Sequence, residues 1–139
     1  METCHIRKLR VWLKKRGFSL KLLPAESEVC FEKKSVTLQR NLTLNSKVAT
    51  LLHECGHVLV YLARRRSKGV KVAGASWRDW QKLDGKRNKL SCLLELQEEM
   101  VAWDRGEKLG QRLRLKLPSK YQTVVKTKAL MSYVRYTAC

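Results

Sequence analysis

Apolar positions near the start of the chain recur at helical spacing. Ile6, Leu9, Val11, Trp12 and Leu13 alternate with basic residues until Gly17, and the spacing predicts a short amphipathic helix that stops there. The period then shortens. "FSLKLLP", "EVCFEKK" and "SVTLQRNLTL" are brief, partly alternating stretches rich in β-branched or aromatic residues, broken at Pro24 and around Asn41. They predict two or three strands of a small antiparallel sheet. From Asn45 or Ser46, either of which can cap a helix, "KVATLLHECGHVLVYLARRR" runs without proline to "SKG" and returns to helical spacing. A second long helix is predicted over "LSCLLELQEEMVAWDRGEKLGQRL", opened by Ser91 or Asn88. A closing helix follows Pro118 in "SKYQTVVKTKALMSYVRYTAC".

Between the long helices, from about 64 to 89, the character changes. Ten lysines and arginines meet only Asp79 and Asp84, and Gly69, Gly74 and Gly85 interrupt the stretch, which reads as a basic connection with short helical pieces. Trp77 and Trp80 within it read as cover for the core. No repeat or low-complexity tract divides the chain, and 139 residues fit a single domain, 1–139. The fold class predicted is α+β.

Composition sharpens the picture. A hydrophobic content of 44% supports a core, so the formal charge of +18 belongs to the exterior of a folded protein. Such a surface suits nucleic acid or an acidic protein, through the 64–89 connection and the C-terminal third, where cations greatly outnumber acids. Five scattered cysteines form no C-x-x-C pair, as expected of free thiols in the cytosol, and no apolar run is long enough to span a bilayer.

The chemistry is concentrated in "HECGH". On a helix, His53 and His57 lie one turn apart on one face and can both present an imidazole nitrogen to one ion. Glu54 projects to one side, where its carboxylate can hold a water activated by zinc and act as general base. The flanking Val48, Leu51, Leu52, Val58, Leu59 and Leu62 place this turn at the edge of a buried face, where an unpartnered glutamate would be costly. Cys55 leaves the helix on another face as a buried thiol, and Gly56 permits close packing behind the site. His5, the remaining histidine, reads as a surface residue.

A hydrolytic zinc needs a third protein ligand. No histidine follows His57, so the candidates are carboxylates, and "LLELQEEMVAWD" offers Glu95, Glu98, Glu99 and Asp104 in an otherwise basic protein. Trp103 and Leu94 imply that part of this helix is buried. Tyr121, Tyr133 and Tyr136 are candidate oxyanion donors, although packing is the commoner role of such residues.

The order of helix, small sheet, "LTLNSKVATLLHECGH" and a helix carrying "EExxAW" resembles the gluzincin metallopeptidases. It is similar in particular to the compact ImmA/IrrE-type enzymes and the minimal zincins of phages and mobile elements, over roughly residues 18 to 105. The resemblance implies a zincin-like fold, with the small sheet packed on the H-E-x-x-H helix and a second, ligand-bearing helix. It implies Zn2+ held by His53, His57 and a glutamate, Glu54 as base, and hydrolysis of a peptide bond. The "ExxAW" pattern selects Glu99, with Glu98 as runner-up and Glu95 as a partner for a ligand histidine. The chain departs from the family where an aspartate often stands four residues after the glutamate ligand, since that position is Trp103. The alternative function is nucleic-acid binding on the same fold without hydrolysis.

Overall fold

Helix α1 (Cys4–Lys15) begins where the Thr3 hydroxyl accepts the amide of Ile6 at 3.4 Å. It buries Ile6, Leu9, Trp12 and Leu13, one apolar stripe of a 3.6-residue period. At its end the Gly17 amide bonds to Lys14 O and the Phe18 amide to Leu13 O. Gly17 has φ +83°, the left-handed conformation that this helix stop requires and that glycine adopts without steric cost. The computed structural model describes residues 2–67, 89–117 and 119–137.

Three strands follow: β1 (Ser19–Leu23), β2 (Glu28–Cys30) and β3 (Ser35–Gln39). Their order is β1-β3-β2, with β2 antiparallel to β3 but β1 parallel to it. The predicted antiparallel sheet is therefore corrected to a mixed one. Alternation says which residues face the core, here Leu20, Val36 and Leu38, but it is blind to neighbours. After Pro24 the chain leaves β1 for the far edge, forms β2 there, and returns through a tight turn to insert β3 in the middle. The segment between β1 and β3 supplies the length that a parallel crossover needs.

Helix α2 (Leu44–Ser67) starts one or two residues before the expected caps. Thr43 is the capping residue, its Oγ1 accepting the Ser46 amide at 3.4 Å and its carbonyl the Lys47 amide at 2.8 Å. Asn45 and Ser46 lie inside the first turn. One face of α2 carries Val48, Leu51, Leu52, Cys55 and Val58, all essentially inaccessible, against α1 and the sheet. Another meets α3 (Lys89–Arg112), and α4 (Ser119–Thr137) packs on both. Among the described residues the fold is thus α+β with four helices and one three-stranded mixed sheet.

The α2–α3 crossing is unusually close. A Cβ on Gly56 would run into the carbonyl of Ala102, and one on Gly106 into that of Leu52. The pairing of 56 with 102 and of 52 with 106 makes the helices antiparallel. Gly56 therefore does permit close packing behind the histidines, with Ala102 as its counterpart. His5 is half-buried rather than on the surface. Cys4, Cys30, Cys55 and Cys92 are free thiols. No described helix is long and apolar enough to cross a membrane. Most of the basic connection, with Trp77 and Trp80, lies outside the described residues.

Candidate metal centre

One turn of α2 aims both imidazoles at the same point. His53 and His57 bring their Nε2 atoms to 3.1 Å, with the rings tilted 72° to one another. Across the close crossing, α3 supplies Glu99, whose Oε2 is 3.0 Å from His53 Nε2 and whose Oε1 is 3.1 Å from His57 Nε2. Four-coordinate zinc with bonds near 2.0–2.1 Å would set its ligand atoms about 3.3 Å apart, so this triangle is close to the size such an ion needs. His53, His57 and Glu99 are the one group among the described residues whose donor atoms are arranged to hold a metal ion. Glu98 and Glu95 lie in the same neighbourhood and line the same cavity, but Glu99 is the carboxylate that reaches both histidines. Asp104 is exposed and pairs with Lys108 at 3.1 Å.

Protonation fits the donor set. Burial lowers the pKa of His53, which favours the neutral imidazole that a metal requires. Burial alone would raise Glu99, but the hydrogen bonds from His53 and His57 outweigh it and hold the carboxyl down to about 2. Two imidazoles and one carboxylate make a set suited to zinc and to other divalent transition metals.

The surroundings explain how the donors are held. Trp103, one turn after Glu99, lies flat on His53, with ring centroids 4.2 Å apart and 18° between planes. The expected aspartate is absent from that position, and the imidazole is oriented by stacking instead. His53 Nδ1 is buried with no hydrogen-bond partner, so Glu95 does not serve it. On the other side the Tyr133 hydroxyl, from α4, donates to Glu99 Oε1 at 3.1 Å. Burial and then the charge of Glu99 push the Tyr133 pKa up, which keeps the phenol a donor. Nothing in the local sequence distinguishes Tyr133 from the other two C-terminal tyrosines; its role comes from the docking of α4. Side-chain detail for Tyr121 and Tyr136 lies outside the described residues.

All three donors open on a cavity of about 300 Å³. Glu54 lines it too, although only 6% exposed, and burial pushes its carboxyl up to about 7. The cavity's remaining wall includes Ser27, Glu28, Val29 and Phe31, from β2 and its flanks. The approach of this strand is a feature that local sequence pattern does not reveal. Cys55, by contrast, faces the core, where burial keeps its thiol protonated and out of metal chemistry. The arrangement can bind a divalent metal with an open side, beside a carboxyl poised near neutrality. Comparison with protein-family models, with curated protein sequences and with solved structures gave no match to this chain.

Proposed function

We propose that the protein is a zinc-dependent peptidase in which His53, His57 and Glu99 hold the metal and Glu54 is the general base. The observation that carries this reading is the convergence of the three donors, 3.0 to 3.1 Å apart, on a cavity that Glu54 also lines. Zinc, when bound, would polarise the scissile carbonyl and lower the pKa of the attacking water. Glu54 takes that water's proton onto its carboxylate and returns it to the leaving amine. Burial raises this carboxyl above the ordinary carboxylate range, which suits it to accepting and then returning a proton. Tyr133 acts as a positioning residue, fixing one oxygen of Glu99 and so the direction of the other. Trp103 fixes the His53 ring.

A peptide is the substrate class best supported by the cavity's wall. β2 is an edge strand, and an extended peptide can pair with its outer edge while lying across the donor triangle. Two histidines and a carboxylate also serve iron(II) oxygenases. Glu54 favours hydrolysis, because an added carboxyl in the cavity is what activation of water needs.

The test is metal analysis joined to digestion of a mixed peptide library. The protein purified with one equivalent of zinc should cleave peptides, and Glu54→Gln should retain the zinc and lose cleavage. A Glu54→Gln protein that cuts as fast as the parent would remove Glu54 from the mechanism. Iron in place of zinc would remove the hydrolytic reading.

A further inference from the structure

Away from the metal cavity, two hollows of about 690 Å³ each lie side by side and share Arg112. The first runs along α3, where Arg105, Lys108 and Arg112 recur at helical spacing beside Leu59. The second lies between α1 and the end of α3 and is lined by Arg7, Lys8, Lys15, Arg16, Arg112 and Arg114 together with Val11, Trp12 and Leu113. Neither hollow shares a lining residue with the metal cavity, and among the described residues no carboxylate lines either one.

We infer that this joined groove is a binding site for the phosphate backbone of nucleic acid. The bland account of such cations is that they complement the C-terminal dipoles of α1 and α3. Each helix end amounts to only about half a negative charge, far less than the seven cations gathered here besides Lys108, which pairs with Asp104. Two of those cations are, moreover, held in place. Arg105 Nη1 donates to Leu59 O at 3.3 Å. The Arg16 guanidinium lies 3.9 Å over the Trp12 ring, and its Nη1 donates to Trp12 O at 3.1 Å. After burial, the neighbouring charge of Arg112 lowers the Arg16 pKa further, so like charges are crowded together with no acid between them.

Arg114 adds an independent observation. The Leu115 amide bonds to Gly110 O and the Arg114 amide to Gln111 O, the same helix stop that ends α1. In α1 the left-handed position is glycine, whereas here Arg114 occupies it with φ +55°. A non-glycine residue is strained in that conformation, and Arg114 is held in it where it lines the groove. Guanidiniums match phosphate oxygens in pairs, which favours a phosphodiester track over isolated carboxylates. An anionic membrane fits less well, because Val11 is the one exposed large apolar side chain that the groove offers for insertion. The C-terminal third predicted to bind nucleic acid contributes Arg105, Lys108, Arg112 and Arg114. The α1 half of the groove exists only through folding.

The experiment uses the full chain and a fluorescent oligonucleotide of about twenty nucleotides, single-stranded and duplex, titrated across salt concentrations. Arg7→Gln, Arg112→Gln and Arg114→Gln combined should reduce the slope of log K against log salt by about two to three, and affinity near 0.1 M salt by about a hundredfold. A charge-matched control with Lys33→Gln, Lys126→Gln and Lys128→Gln should lose much less. Equal losses in the two triple variants would overturn the groove in favour of diffuse charge. Arg114→Gly separates contact from folding: it should raise the melting temperature by relieving the strain yet bind as weakly as Arg114→Gln. Parent-like binding by Arg114→Gly would overturn the contact. Vesicles containing phosphatidylserine form the last arm, and loss of vesicle binding in the groove variant with oligonucleotide binding intact would overturn nucleic acid as the occupant.

Discussion

Gly56→Ala tests whether the proposed metal centre depends on the closeness of two helices. A Cβ at position 56 would lie 2.7 Å from the Ala102 carbonyl carbon and 3.1 Å from its Cα. The Ala102 carbonyl oxygen is nearer still, and ordinary heavy-atom contacts are about 3.5–4.0 Å, so α2 and α3 would have to part by more than about 1 Å. The obstacle is backbone, and no rotamer change can absorb it. Overpacking of this kind costs about 1–3 kcal/mol, and the upper end applies where nothing flexible yields. Alanine's better helix propensity returns about 1 kcal/mol, leaving a net loss of about 2 kcal/mol. His53 and His57 ride on α2 while Glu99 rides on α3, so the same parting would stretch the 3.0 and 3.1 Å separations of the donors. Zinc affinity should then fall by on the order of tenfold to a hundredfold, as when ligands lose their support. Urea denaturation of the metal-free protein and competition with a chromophoric chelator read the two quantities. Gly110→Ala is the internal control, because its Cβ would meet the end of the Leu52 side chain at 3.1 Å, which can move. It should be neutral or slightly stabilising. If Gly56→Ala is as stable as the parent and binds zinc equally well, the close crossing does not hold the site together.

Glu99→Ala should lower zinc affinity far more than Glu98→Ala, since Glu99 reaches both imidazoles; isothermal titration of the two variants decides it. Tyr133→Phe removes the 3.1 Å hydrogen bond to Glu99 and should weaken zinc binding by about tenfold while leaving the metal stoichiometry unchanged, as read by the same titration. Glu54 carries a pH dependence of definite sign. Its carboxyl is raised from 4.5 to about 7 in the folded metal-free protein, so its contribution to stability is full below pH 4.5 and is lost as pH rises through about 7. The full swing amounts to about 3 kcal/mol. Glu54→Gln, which never ionises, should therefore gain stability over the parent between about pH 5 and pH 8.5 in chelator, and denaturation curves that keep the same gap at both ends would contradict the burial of a titrating Glu54.

Local periodicity carried a good deal of this protein into view. The stripe Ile6, Leu9, Trp12 and Leu13 and the stop at Gly17 define α1, and the proline-free run around "HECGH" defines α2, because a helix is decided by residues within a turn or two of one another. The same logic puts His53 and His57 on one face. The overall charge was equally legible, being a sum over residues. Contacts between elements were not. The strand order β1-β3-β2 depends on which edge the chain reaches after Pro24, and alternation along each strand is identical whichever neighbour it has. Glu98 and Glu99 differ by about 100° around α3, and the choice between them falls to the approach of Gly56 to Ala102 and of Leu52 to Gly106, which sets the face that α3 turns toward the histidines. Tyr133 meets Glu99 only because α4 docks there, and the cations of α1 join Arg112 and Arg114 only because folding brings both to line one hollow with Trp12. Those groups lie far apart in sequence, so their meeting is fixed by long-range packing that a short-range pattern cannot encode.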